Sequence, residues 1–143
     1  MLYHWLYIST AKVLPRSPED VMIYLHARNR NADLEITGYL HRENGYYTQY
    51  VEGPKNALDQ LKLLINKDWR HENIRSLSEG HTPVRRFSGW DMAFTDEEIS
   101  SFRAVQTRFG YEPDISKAPV QEILHFMDQA VLSGDAQSVA DVA

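Results

Sequence analysis

The fold is decided by one stretch near the middle of the chain, residues 35–54, which reads EITGYLHRENGYYTQYVEGP. Its two runs of aromatic and branched residues, 35–42 and 46–52, are typical of β-strands. Asn44-Gly45 lies between them and is a strong signal for a tight hairpin turn, because both residues tolerate positive φ. Gly53-Pro54 ends the second run and opens a helix. The stretch therefore predicts an antiparallel hairpin that leads into a helix.

Helix and strand patterns on both sides of this hairpin complete the order β-α-β-β-α-β-β. Ser17-Pro18 has the form of a helix start, a capping residue followed by proline at the first helical position. The predicted strands lie at 2–9, 35–42, 46–52, 74–79 and 89–94, and the predicted helices at 17–31 and 54–68. We therefore expect an α+β fold of the ferredoxin-like type, in which two helices cover one face of a five-stranded mixed sheet.

The C-terminal segment is expected to cover the other face of the sheet. Thr95-Asp96-Glu97-Glu98 predicts the start of a third helix that ends at Phe109-Gly110, and an apolar stripe predicts a fourth helix at 118–132. The expected organisation is one domain over residues 1–95, a helical extension of the same compact unit over 96–133 and a disordered tail over 134–143.

Composition and charge exclude several classes of function. The 143 residues carry a net charge of −5 and no basic run, so we expect no binding to nucleic acid. The absence of cysteine excludes disulfides and thiolate metal sites. No apolar run could span a bilayer, which predicts no membrane association and a cytoplasmic location. His71-Glu72 begins like a zinc-protease motif, but Arg75 stands where the second histidine belongs, so we expect no metal site.

Polar and aromatic residues on separate predicted elements are candidates for one site. Gln49 falls on one face of its strand, and an amide buried there without partners costs about 1–3 kcal/mol, so Tyr7 on the adjacent strand is a natural partner. The pattern fits equally well a Gln49 that faces solvent on an edge strand. Taken singly, Tyr7 also fits a core tyrosine, Asn31 a helix C-cap, and Trp90 and Met92 plain core packing.

Six short motifs follow one another between residues 3 and 94. They are Leu6-Tyr7-Ile8-Ser9, Asn31-Ala32, Ile36-Thr37-Gly38, Gln49-Tyr50-Val51-Glu52-Gly53-Pro54, Asp68-Trp69-Arg70-His71 and Arg85-Arg86-Phe87-Ser88-Gly89-Trp90-Asp91-Met92. In this order and spacing they resemble the BLUF family, the blue-light sensors that use FAD. The chain departs from the family at Ala27, where a serine is common, and at Trp69, where a proline is common.

The resemblance implies a flavin site between the first two helices and the sheet. FAD would be the cofactor, with FMN or riboflavin as substitutes. Asn31 would bind the pyrimidine side of the ring, and Gln49 would bond both to the ring and to Tyr7. At the ribityl-phosphate end the resemblance places Asp68, Arg70 and His71.

The resemblance also implies a photochemical switch without enzymatic activity. Light would drive electron and proton transfer from Tyr7, and the hydrogen bonds of Gln49 would rearrange. Trp90 and Met92, expected on one face of the last strand, would relay the change to the C-terminal helices. We expect a homo-oligomer and a downstream signalling protein. By analogy alone, that partner would be a cyclic-dinucleotide phosphodiesterase or a response-regulator-like protein.

Two other functions fit the same layout of elements. Acylphosphatase-like hydrolases of this fold bind phosphate with an arginine and an asparagine, roles that Arg16 or Arg28 could take together with Asn31. A ferredoxin-like interaction module without a ligand is the second alternative. The flavin photoreceptor is favoured over both because its six motifs are independent of one another.

Overall fold

A computed structural model describes residues 1–107 and 114–138. Its elements, in chain order, are β1 (Leu2–Ala11), α1 (Pro18–Leu34), β2 (Thr37–Glu43), β3 (Tyr46–Pro54), α2 (Lys55–Asn66), β4 (His71–Thr82), β5 (Ala93–Asp96), α3 (Phe102–Thr107), a short 3-10 helix (Ile115–Lys117), α4 (Val120–Ser133) and β6 (Gln137–Ser138). Within this part of the chain no helix is long and apolar enough to cross a membrane.

The central hairpin forms as its sequence predicts. β2 and β3 are antiparallel, and Leu40 pairs with Gln49 in their register. Asn44 has φ 54° and Gly45 has φ 79°, the positive values that a tight hairpin turn requires. Gly38 on β2 packs so closely against β3 that a Cβ would collide with the carbonyl of Tyr50. The strand approach therefore requires glycine at this position.

The strand order β4-β1-β3-β2-β5-β6 confirms the ferredoxin-like arrangement. β1 lies between β3 and β4 and is antiparallel to both, and β2 is parallel to β5. The sixth strand, Gln137–Ser138, adds to the edge at β5. The sequence predicts no strand in that segment, since two small polar residues carry no strand pattern. The mixed sheet positions the middles of β1 and β3 side by side at its centre.

Each face of the sheet has its own core. Alternate residues of β1 point to opposite faces, so Trp5 and Tyr7 pack with α1 and α2, whereas Leu6 and Ile8 pack on the other side. The second core is completed by residues of α3 and α4, among them Phe102, Ile123, Phe126, Met127 and Ala130. The expected cover of the second face by the C-terminal helices is confirmed.

The chain around β5 differs from the sequence prediction. β5 begins at Ala93, so Trp90 and Met92 precede the strand. Met92 packs in the core under α1 and α2, whereas Trp90 packs against the other core. The prediction that the two side chains share a face was wrong, because the segment before β5 is a turn without the period-two alternation of a strand.

The third helix begins later than the sequence predicts. Thr95 belongs to β5, and the Asp96 carboxylate accepts backbone N–H groups of Glu98 and Ile99 in a turn. α3 starts at Phe102, whose N–H donates to Glu43 at 2.7 Å. Glu43 thus caps α3 from a distant strand, together with a local cap, Ser101, whose hydroxyl accepts the N–H of Ala104 at 3.1 Å. The predicted helix end at Phe109-Gly110 lies outside the described residues.

Candidate functional site

Tyr7 and Gln49 form a buried pair at the centre of the sheet. They lie directly opposite each other on β1 and β3, and each is 3% exposed. The Tyr7 hydroxyl donates a hydrogen bond to Gln49 Oε1. The alternative in which Gln49 faces solvent is therefore excluded. Burial raises the pKa of Tyr7 well above its ordinary value of 10.0, so the phenol is neutral at physiological pH.

The other end of the Gln49 amide contacts Met92. Gln49 Nε2 lies 3.7 Å from Met92 Sδ, which is a weak acceptor. A primary amide between a tyrosine hydroxyl and a thioether has one strong and one weak partner. Exchange of its two ends therefore changes the hydrogen bonding at Tyr7 and at Met92 together.

Buried polar atoms without protein partners lie at the end of α1. Asn31 is fully buried, and its Nδ2 donates to the carbonyl of Asp91 at 2.8 Å, but its Oδ1 has no partner. Arg30 Nε is also buried without a partner, and burial lowers the pKa of Arg30. Buried polar groups in folded proteins are normally satisfied, so both atoms favour a polar ligand at this place.

Two adjacent cavities lie beside α1 and α2, and the inner one reaches the sheet. An inner pocket of about 30 Å³ is lined by Tyr7 and Gln49, and an outer groove of about 800 Å³ runs between the helices to the α2–β4 connection. Arg30, Asp68 and Arg70 line both cavities. The site is therefore a small inner pocket beside Tyr7 and Gln49 with a wide groove next to it.

Asp68 and Arg70 form a two-pronged ion pair at the boundary between the cavities. The Arg70 guanidinium donates to the two Asp68 carboxylate oxygens at 2.8 and 2.7 Å. Burial alone would raise the pKa of Asp68, but the hydrogen bonds from Arg70 lower it below its ordinary value. Each group holds the other in position, so Arg70 presents a fixed cation to the groove.

His71 lies in the wall of the inner pocket. Its Nε2 donates to the carbonyl of Ile65 at 2.9 Å, and its Nδ1 lies 2.7 Å from Ser9 Oγ. Both ring nitrogens thus have protein partners. The geometry favours His71 as a fixed wall of the pocket.

The residues of the hydrolase alternative do not come together. Arg16 is paired with Asp96 and Glu98 near the sheet edge, and Arg28 is exposed on α1. Asn31, by contrast, is fully buried. An arginine and an asparagine therefore form no shared anion site here, and the acylphosphatase-like interpretation is not supported.

Comparison with known proteins agrees with this geometry. Residues 2–93 match the sequence profile of BLUF, described as sensors of blue-light using FAD. The chain belongs to the BLUF family. It is therefore a blue-light sensor domain that uses a flavin, and the interpretation as a ligand-free module is not supported.

Relatives and solved structures extend the BLUF assignment. The chain is 35% identical over 103 residues to the photoactivated adenylate cyclase subunit beta of Euglena longa, a match that covers 70% of this chain and 12% of that protein. It is 33% identical over 70 residues to the blue light- and temperature-regulated antirepressor BluF of Escherichia coli, covering 49% of this chain and 17% of that protein. The dark-state structure of the BLUF protein BlrB superimposes with a TM-score of 0.76 at 28% identity, covering 90% of this chain and 96% of BlrB.

The residues of this BLUF chain fit a flavin. The pyrimidine edge of a flavin offers one N–H donor and carbonyl acceptors, which complement the unpartnered Asn31 Oδ1 and Arg30 Nε. Arg30 was missed by the sequence analysis, which considered Arg28 instead. The sequence could have indicated Arg30, because it stands next to Asn31 and one turn after Ala27, two residues on the buried side of α1.

Proposed function

We propose that Tyr7 and Gln49 are the photochemical pair of this blue-light sensor. The observation that carries the proposal is the buried hydrogen bond from the Tyr7 hydroxyl to Gln49 Oε1. A bound flavin supplies a strong oxidant when it absorbs blue light. Tyr7 is an easily oxidised side chain, and its proton already points at the amide through which it can leave.

Gln49 converts this transfer into a lasting change of hydrogen bonding. Its amide presents an acceptor to Tyr7 and a donor towards Met92. Rotation or tautomerisation reverses the polarity of the two ends while the shape of the side chain changes little. The rearranged network can therefore persist inside the packed core after the electron and the proton return to Tyr7.

Residues that line the two cavities, together with the neighbouring Asn31, would hold the cofactor. Asn31 and Arg30 would bind the pyrimidine edge of the ring, and His71 would form a wall of the inner pocket. Arg70, fixed by Asp68, would face the ribityl-phosphate end in the groove. We propose FAD as the flavin, with FMN and riboflavin as weaker substitutes.

The signal would leave the site through Met92 and β5. Met92 directly precedes β5, and in that strand the Thr95 hydroxyl lies 2.7 Å from His41 Nδ1. His41 Nε2 lies 2.8 Å from the carboxylate of Glu43, which also accepts the N–H of Phe102 at the start of α3. A buried chain of hydrogen bonds thus connects β5 to the third helix. The expectation that Trp90 acts together with Met92 is replaced by this route, because Trp90 packs on the opposite face.

The output is proposed to be contact with a partner protein. The part of the chain that matches the Euglena cyclase subunit covers only 12% of that protein. The cyclase activity of that relative would therefore reside outside the matched part. We propose a sensor without enzymatic activity that works in the cytoplasm as a homo-oligomer. Its partner would be a separate signalling protein, such as a cyclic-dinucleotide phosphodiesterase or a response-regulator-like protein.

The test is the absorption spectrum of the purified protein. Protein that is yellow, or becomes so with added FAD, should show a flavin band that shifts to the red in blue light and recovers in darkness. The variant Gln49→Leu should keep the flavin and lose the shift. A full reversible shift in that variant would refute the role of Gln49.

A further inference from the structure

The outer groove is lined in part by an exposed tryptophan that the proposed photochemistry does not use. Trp69 lies in the α2–β4 connection and is 63% exposed. It is one of the residues that line the groove, and it directly precedes Arg70. A large aromatic surface is normally covered, because burial of apolar area is favourable by about 25 cal/mol per Å². In the wall of the groove and next to Arg70, this indole is available to stack on a flat group of a bound ligand.

We infer that Trp69 stacks on the adenine base of a flavin dinucleotide, so that this chain binds FAD in preference to FMN and riboflavin. The inference rests on the proposed function, because the flavin ring must lie between α1 and α2, on the side of Tyr7 and Gln49, for the rest of the cofactor to enter the groove. A nucleobase is flat and apolar on both faces, and indole is a good surface for it to stack on.

The shape of the site supports a long ligand. The inner pocket and the outer groove share Arg30, Asp68 and Arg70. A cofactor with its ring inside therefore emerges beside Arg70, one residue from Trp69. The whole groove has about 800 Å³ of space, far more than a single phosphate needs. Met22 and Leu64, both exposed, add apolar surface to the groove.

Charge alone does not explain a preference for the dinucleotide. Lys67 and Arg70 favour phosphate, but Glu19 and Asp33 of α1 also line the groove and oppose an anion. The charge of Arg70 is further balanced by its ion pair with Asp68. The preference that we infer would therefore come from stacking, which the adenine of FAD can make and FMN, without adenine, cannot.

The inference is tested by the dissociation constants of riboflavin, FMN and FAD, measured by quenching of flavin fluorescence on the full chain. Wild type should bind FAD about five- to tenfold more tightly than FMN, the lower part of the range for base–aromatic stacking, since one face of the base stays in water. Trp69→Ala should bind FAD and FMN equally and leave riboflavin unchanged, while Trp69→Phe keeps part of the preference. Leu63→Ala is the matched control, because Leu63 is equally exposed on α2 but does not line the groove.

A second readout follows the indole directly. The indole N–H resonance that disappears in Trp69→Phe should shift when FAD binds and stay in place with FMN. Equal affinities of wild type for the two flavins, a preference that survives Trp69→Ala, or an equal loss for all three flavins would overturn the inference and leave the flavin site standing. Failure of wild type to bind any flavin would instead overturn the proposed function itself.

Discussion

Tyr7→Phe separates photochemistry from folding, because it removes one oxygen atom from a buried pair. The phenyl ring of the variant keeps the packing, while Gln49 Oε1 loses its donor. An unsatisfied buried acceptor costs about 1–3 kcal/mol. For a chain of this size, 1 kcal/mol lowers the melting temperature by about 2–4 °C. The apoprotein should therefore melt several degrees lower but stay folded.

The flavin-bound variant should lose its light response. Without the hydroxyl, position 7 has no transferable proton and no hydrogen bond to Gln49, so the red shift should disappear while flavin remains bound. The assay is the difference spectrum between dark and blue-lit protein, together with a thermal melt of the apoprotein. In wild type the amplitude of the shift should be constant from about pH 6 to 9, because burial raises the pKa of Tyr7 above this range.

Tyr39→Phe is the matched control for this experiment. Tyr39 is also buried, and its hydroxyl lies 2.7 Å from Thr95 Oγ1, but its side chain belongs to the other core. The control should lose a similar amount of stability and keep the full photocycle. A normal red shift in Tyr7→Phe, or its loss in both variants, would show that the hydroxyl of Tyr7 has no specific role.

Three further predictions address cofactor binding, signal output and pH. Asn31→Ala should lower flavin occupancy without unfolding the domain, since it removes hydrogen bonds worth about 1 kcal/mol each; unchanged flavin affinity by titration would remove Asn31 from the site. Met92→Ala should keep the red shift but abolish the light-dependent change of hydrogen exchange in residues 96–107 and 114–133, whereas Trp90→Ala should preserve both. Identical exchange in dark and lit wild type would refute the proposed signal route through Met92 and β5. Burial raises the pKa of four tyrosines, Tyr7, Tyr24, Tyr39 and Tyr47, well above 10.0. The free energy of unfolding should therefore be insensitive to tyrosine ionisation below about pH 9 and fall above pH 10 by up to about 1.4 kcal/mol per pH unit for each tyrosine, because only the unfolded state then releases these protons. Flat stability in urea melts from pH 9 to 11 would contradict this prediction.

Local patterns in the chain were sufficient for most of the architecture. The Asn44-Gly45 turn, the Ser17 cap and the apolar stripes of α2 and α4 depend on neighbours in sequence, and the structure contains all of them. Tyr7 and Gln49 could be paired in advance because the order of elements makes β1 and β3 adjacent. Alternation in β3 then limits Gln49 to one of two faces.

The segment around β5 could not be predicted in the same way. The start of α3 depends partly on Glu43, a residue of β2 that is distant in sequence from Phe102. Met92 and Trp90 fall on opposite faces because residues 89–92 form a turn between the sheet and the second core. A turn without regular hydrogen bonds has no period that a sequence pattern could reveal.

The sequence by itself determined the order of the elements, which depends on residue type and short spacing, and the family, which depends on its motifs. The choice of Tyr7 and Gln49 as the proposed photochemical pair followed from the resemblance to that family. Tertiary structure alone decided which polar atoms lack partners, as for Asn31 Oδ1 and Arg30 Nε, and where the exposed indole of Trp69 meets the groove. It also decided on which side of the sheet Met92 lies. These properties arise from packing between elements that are far apart in the chain, where burial and hydrogen-bond satisfaction depend on atoms that no local pattern specifies.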